Sequence, residues 1–343
     1  MGKYPTTQFL QDQYSYHAPV LRKDLTGKTV VVVGANVGIG YEAAKHFSTM
    51  GAARVIMACR SKERGAEAVE RIQKETGLKN TELMLVDLAD FSSTTKFAAD
   101  LEAQLDRLDL LVLNAGIVPG PKRQSTVDGW EVTIQVNVVA SSILALLLVP
   151  LMVRTSRERH TLPRTVVVAS AVHFWPQPWG SDIFDQPGIL KALSDKADVD
   201  STTRYQESKL CNVLFARALN ERLRPTHPTI IVNSVDPGLC STGLTRAVKD
   251  DMPFGMRMTH ALLSVSAEVG SRELVWAALG NSEHAESLRG AYIGRCTVRE
   301  PSDYVLSEAG RIAQDRNWRE IVAIGEKVEP KIGTIVRDYL LDL

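Results

Sequence analysis

Short apolar runs recur along the chain at 29–34, 54–58, 82–86, 109–113, 165–169, 230–234 and near 291–294. Between them lie stretches whose apolar residues return at helical spacing, such as Tyr41-Glu-Ala-Ala-Lys-His-Phe47. The first run holds four consecutive valines, Val30 to Val33, a pattern that suits a strand buried on both faces. Strand–helix alternation of this kind predicts an α/β fold: a single doubly wound parallel sheet flanked by helices, joined by right-handed crossovers. No linker-like stretch interrupts it, so one domain is expected over 25–300. Residues 1–24 then form an N-terminal extension, and 301–343 a C-terminal helical extension packed on the same domain.

The turn after the valine run reads Gly34-Ala-Asn-Val-Gly-Ile-Gly40. Glycines at 34, 38 and 40 permit a tight turn and let backbone amides at a helix start approach a pyrophosphate. The spacing, G-x-x-x-G-x-G, differs from the commoner G-x-G-x-x-G fingerprint. The next run ends at Arg60, followed by Ser61 and Lys62. An acid here would hold a ribose 2′-hydroxyl, whereas arginine accommodates a 2′-phosphate, so Arg60 and Lys62 favour NADP over NAD. Glu63, the nearest acid, is expected to face solvent in the first helical turn.

Tyr205 and Lys209 stand four residues apart in Tyr-Gln-Glu-Ser-Lys, which puts both side chains on one helix face. A phenol titrates near pH 10, so it exchanges protons poorly at neutrality. A neighbouring ammonium favours the phenolate, and closing a gap of ~3 pKa units takes roughly 4 kcal/mol.

These motifs, met in this order, resemble the short-chain dehydrogenase/reductase family. Within it the chain is similar to the retinol-dehydrogenase-like branch and to fungal members close to it, over roughly residues 25–300. The segments that carry the resemblance include the 34–40 turn, Ala58-Cys-Arg60, Val86-Asp87-Leu88, Asn114-Ala115-Gly116 and Val136-Asn137. Ser170 closing Val166-Val-Val-Ala-Ser170, then Tyr205 and Lys209, and Asp236-Pro237-Gly238 with Thr242 complete the set. The resemblance implies a Rossmann-type sheet with extended substrate loops. It implies NADP(H) bound by Gly34, Asn36, Gly38, Ile39, Gly40 and Arg60, by Asp87 and Leu88, and by Asn114, Ala115 and Gly116. Tyr205, Lys209, Pro237, Gly238 and Thr242 would meet the nicotinamide side. As catalytic residues it implies Tyr205, Lys209, Ser170 and Asn137, with Asn137 anchoring a water that links Lys209 to solvent. Two positions depart from the family: Val33 and Val37 stand where hydroxyl residues usually tie the turn together.

Composition narrows the field further. Basic and acidic residues balance at 40 each, which suggests neither nucleic acid nor an anionic membrane as partner. Four scattered cysteines (Cys59, Cys211, Cys240, Cys296) show no metal spacing, and a reduced cytoplasm fits them best. Residues 1–24 lack the apolar core of a signal peptide, and Ile143–Val153, with Pro150, is too short to span a bilayer. That run is expected in the core or in a homodimer or homotetramer interface. Met1-Gly2 to Thr6 matches a myristoylation pattern only formally.

Two long segments suit a lipophilic small-molecule substrate. One runs from His173-Phe-Trp-Pro-Gln-Pro-Trp-Gly to Asp182-Ile-Phe184; the other holds Met252, Phe254, Met256 and Met258. His173 is expected to hydrogen-bond within its loop. Three alternatives to carbonyl reduction stay open at this point. They are oxidation of a retinoid- or steroid-like alcohol, cyclisation or epimerisation on the same scaffold, and a non-catalytic NADP-binding sensor.

Overall fold

The valine run behaves as its composition predicts. In a computed structural model, Val31 and Val33 enter one core with Leu111, Leu144 and Phe215. Val30 and Val32 enter a second core across the sheet, with Phe47, Ile72 and Leu274. The structure describes residues 4–341 apart from 16, 121, 177–178, 180–182, 184–185, 197–198, 225–229 and 245–261.

The described elements run α1 (Thr6–Tyr14), β1 (Thr29–Val33), α2 (Gly38–Thr49), β2 (Arg54–Cys59), α3 (Lys62–Thr76), β3 (Thr81–Leu85), α4 (Phe91–Gln104) and β4 (Leu110–Leu113). They continue with α5 (Val132–Arg159), β5 (Arg164–Val168), α6 (Ile189–Asp195), α7 (Ser201–Arg222), β6 (Ile231–Val235) and α8 (Ala267–Leu279). The hairpin β7 (Tyr292–Gly294) and β8 (Thr297–Arg299), then α9 (Glu308–Val328) and α10 (Lys331–Tyr339), close the chain. Strand order is β3-β2-β1-β4-β5-β6-β7-β8, with every pairing parallel except β7–β8. This is a doubly wound sheet whose order reverses between β1 and β4, and ligands bind such sheets at that reversal, beyond the carboxyl ends of the strands.

Strand β8 is the element that periodicity missed. It is three residues long, and its turn holds Arg295 and Cys296 at φ 57° and 53°. A two-residue hairpin loop with both φ positive normally announces itself with Asn or Gly. Here Glu273 supplies the support instead, accepting from the Cys296 amide at 2.7 Å.

Helix α5 contains a π-helical turn, Gln135–Val139, of the kind often found at functional sites. Its apolar stretch is longer than Ile143–Val153 and would suffice to cross a membrane, yet 94 % of its most apolar window is buried inside the protein. Helices α9 and α10 cover it and α7. Trp318 stacks on Phe215, Asp315 pairs with Arg222, and Ile332 and Ile335 join the same core. The Ile143–Val153 run thus lies in the core, and α9 and α10 pack over α5 and α7.

Candidate active site

The carboxyl ends of β1 to β6 open into one cavity of about 760 Å³. A second groove of about 940 Å³, lined by Trp130, Lys191, Glu320 and Lys327, holds none of the motif residues. The chemistry is confined to the first.

At the β1–β4 reversal the walls are backbone. Gly34 adopts φ 82°, and a Cβ there would lie 2.7 Å from Ala115 Cα. On Gly40 a Cβ would lie 2.3 Å from the Gly34 carbonyl oxygen and 2.4 Å from Asn114 Nδ2. Asn114 Nδ2 donates to that same carbonyl at 2.7 Å, which locks the two turns together, while its Oδ1 is buried with no partner. Val37 is the N-cap of α2 and offers no side-chain acceptor, so the first amides of the helix are left uncapped. A turn open only to glycine, an uncapped helix start and an orphaned amide oxygen together fit a phosphate-bearing nucleotide. Arg60 and Arg64 line the neighbouring wall, both exposed, while Glu63 faces solvent beside the Ser61 hydroxyl, as expected. Asp87 is oriented from both sides: Ser93 Oγ accepts from its amide, and its carboxylate accepts from the Ala89 amide, each at 2.9 Å.

The candidate catalytic side chains of Tyr205, Lys209 and Ser170 sit on α7 and at the end of β5. Lys209 is 3 % exposed; its Nζ donates to the Val168 carbonyl at 2.8 Å and stands over the Tyr205 ring, 5.5 Å from the centroid. Burial lowers the Lys209 pKa to about 8, opposed by the charge of Asp236. For Tyr205 burial has the opposite sign and raises the phenol pKa, with Asp236 and Cys240 adding to the rise. Burial thus sets the direction of the Tyr205 shift, and the Lys209 ammonium makes its hydrogen bond to Val168. Ser170 is extended (φ −170°, ψ 156°), and its Oγ accepts only a long 3.3 Å bond from the Val172 amide, which leaves its hydroxyl proton free to donate.

Asn137 has a structural part besides the one implied. Its Oδ1 accepts from the Ile117 amide at 2.8 Å, and its Nδ2 donates to the Ile117 carbonyl and to Ser208 Oγ, both at 3.0 Å. Its carbonyl accepts from Ser141 and Asn212. With amide and carbonyl engaged by protein, Asn137 braces the loop after β4 against the helix of Tyr205. Of the expected site residues, Gly40, Asn137 and Lys62 do not line the cavity: Gly40 and Asn137 act from behind its wall, and Lys62 is exposed beside it, with Arg64 lining the wall in its place. Asp236 was given no role by the sequence reading. Its carboxylate accepts from the Gly238 amide at 3.0 Å and from the Ala171 backbone, which ties the Pro237-Gly238 loop to the Ser170 turn.

Toward solvent the lining turns apolar, with Ile117, Val172, Trp175, Leu239 and Leu244, and with Phe9 from the N-terminal helix. His173 does hydrogen-bond within its loop: Nδ1 lies 2.8 Å from the Ser170 carbonyl, and Nε2 faces the Ser302 amide at 3.2 Å. These partners assign the proton to Nδ1, and burial lowers the ring pKa to about 4. The aromatic segment after it divides, because Trp179 and Ile183 are buried in the core while Trp175 reaches the cavity. Gln177, Pro178, Gly180, Asp182, Phe184 and the methionine segment with Phe254 lie outside the described residues.

Comparison with known proteins decides what this assembly is. Residues 28–181 match the family model described as short chain dehydrogenase. The chain is 34 % identical over 334 residues to the short chain dehydrogenase/reductase dmxR8 of Cryptosporiopsis sp., covering 94 % of this chain and 98 % of that protein. It belongs to the short-chain dehydrogenase/reductase family. The short-chain dehydrogenase anuD of Penicillium roqueforti is 32 % identical, with 98 % and 90 % coverage, so this member of the family is similar to fungal members across its whole length. Neither relative is named as a retinol dehydrogenase. Among solved structures, a protein from Mycobacterium paratuberculosis shares the fold at TM-score 0.64 and 24 % identity, covering 90 % of this chain and 97 % of its own. So does a short chain dehydrogenase from Escherichia coli CFT073 described as complexed with NADPH, at TM-score 0.58, 21 % identity, and 79 % and 97 % coverage. As a short-chain dehydrogenase/reductase, the protein is a nicotinamide-dependent oxidoreductase acting on a small molecule, and the backbone cradle at the β1–β4 reversal fits that cofactor.

Proposed function

We propose that this enzyme reduces a ketone or aldehyde of a lipophilic small molecule to the alcohol, using NADPH. The observation that carries the reading is geometric: Tyr205, Ser170 and Lys209 line one cavity, with Lys209 Nζ over the Tyr205 ring. Burial of Tyr205 favours its neutral phenol. Oxidation of a retinoid- or steroid-like alcohol would need the phenolate, which the same burial disfavours.

The preference for NADP rests on Arg60 and Arg64 in that wall, while Glu63, the acid nearest to Arg60 in the sequence, faces solvent and is not part of it. The amides of 34–40, Asp87, Asn114 and the 237–242 loop would hold the cofactor. When bound, it would supply hydride to the carbonyl carbon. Ser170 would donate a hydrogen bond to the carbonyl oxygen, and Tyr205 would deliver its proton to that oxygen as charge develops there. The tyrosinate left behind would have the Lys209 ammonium over its ring. General acid catalysis typically contributes ~10²–10⁴, and a preorganised donor ~10²–10³. The apolar rim and the fungal origin of the relatives support a polyketide or terpenoid intermediate as substrate. A sensor role would leave the complete Ser170–Tyr205–Lys209 set without a purpose.

The test is NADPH consumption against a panel of lipophilic ketones and aldehydes, with wild type and Tyr205→Phe side by side. The variant should lose roughly 10²–10⁴ in kcat and keep its affinity for NADPH. Near-normal turnover by the variant would contradict the mechanism.

A further inference from the structure

The N-terminal extension is built into the cleft, and two polar side chains hold it there. Asp12, 5 % exposed, accepts from Tyr4 Oη at 2.8 Å, Arg295 Nη1 at 3.0 Å and Arg299 Nη1 at 2.5 Å. These bonds pin α1 to the β7–β8 hairpin. Burial alone would raise the Asp12 pKa, but the hydrogen bonds prevail and hold it low, so the carboxylate is charged when it makes them. Gln13 donates to the carbonyls of Leu239 and Leu263, at 3.1 and 2.9 Å, and accepts from the Leu239 amide at 3.2 Å. Leu239 follows directly on Pro237-Gly238, and Gly238 makes the approach possible: a Cβ there would lie 2.9 Å from Gln13 Oε1.

Phe9 stands three and four residues before these anchors, on the same helix face. With α1 fixed, Phe9 lines the catalytic cavity and meets Trp175 edge to face, with centroids 5.8 Å apart at 71°. Trp175 is held from the same segment, since its Nε1 donates to the Tyr4 carbonyl at 3.4 Å and Tyr4 stacks on Phe174 at 4.9 Å. Yet 38 % of Trp175 stays exposed. A half-exposed tryptophan fixed beside a cavity is a surface that a ligand can cover, and such a pair offers both a ring face and a ring edge for stacking.

We infer that α1 is the specificity element of this enzyme, and that Phe9 with Trp175 forms an aromatic wall selecting a flat, apolar, fused-ring carbonyl compound. The inference rests on the carbonyl-reduction reading for the substrate's reacting group, whereas the wall itself recognises the ring system.

The experiment uses the full chain carrying Phe9→Ala or Phe9→Leu, a tricyclic aromatic ketone and a small aliphatic ketone. Initial rates give kcat/KM for each, and calorimetry gives the Kd of the tricyclic ketone on NADP-loaded protein. Phe9→Ala should lower the tricyclic-to-small ratio of kcat/KM about tenfold, with the change in KM, and weaken tricyclic binding by a similar factor. Phe9→Leu, which keeps apolar bulk without the ring, should recover only part of the loss. An unchanged ratio in Phe9→Ala, or no tricyclic binding by wild type, overturns the inference. Binding by wild type without reduction, weakened by Phe9→Ala, would count against the reaction while supporting the wall.

Discussion

The two ends of the cleft are made of different material. At the β1–β4 reversal the walls are main chain: Gly34, Gly40 and Ala115 meet atom to atom, and one asparagine ties the turns together. At the substrate end, side chains from segments far apart in the chain do the joining, as Asp12, Gln13, Trp175 and His173 show. The contrast teaches that a common cofactor can be held by invariant geometry, whereas a particular substrate needs groups that substitution can change.

The sharpest way to separate the ends is acid. His173 is buried and neutral, with its pKa lowered to about 4. The unfolded chain, titrating near 6.5, binds more protons between those values, so stability is complete above about 6.5 and falls as the pH drops toward 4. The ceiling is roughly 3 kcal/mol. Urea unfolding at pH 7 and pH 5 should show wild type losing more stability than His173→Gln; equal losses would remove His173 from the account. Next in size is Gly40→Ala. Its Cβ would strike main chain that cannot yield, so destabilisation of roughly 1–3 kcal/mol and loss of NADPH affinity should appear together. Normal NADPH binding by that variant would break the claim that backbone shapes this end. Smallest in its effect on the cofactor end is Gln13→Ala, which removes the neutral hydrogen bonds to Leu239 and Leu263 and should raise substrate KM while NADPH Kd holds. A shift in NADPH Kd instead would join α1 to the cofactor end through Leu239.

Legibility in the sequence follows the same division. The valine strand, the glycine turn and the Tyr205–Lys209 pair were readable because each is local in the sequence and its chemistry follows from residue type and spacing, whereas Asn114 came through the resemblance. The direction of the Tyr205 shift was not, because it depends on desolvation, which only packing sets. Asn137 was found by resemblance, but its brace to Ile117 and Ser208 required the fold. Gln13 and Leu239 are 226 residues apart, and nothing local in either segment announces the contact. Strand β8 escaped because Arg295-Cys296 takes a turn that its residue types do not advertise.

Product mass tests the central claim most directly. The full chain is incubated with NADPH and a lipophilic ketone that it converts, followed by loss of the ketone, and the product is weighed against the cofactor consumed. The account predicts an alcohol heavier by two hydrogens, with one alcohol formed for each NADPH oxidised. A product of unchanged mass, with NADPH conserved, would mean isomerisation or cyclisation on this scaffold and would contradict reduction.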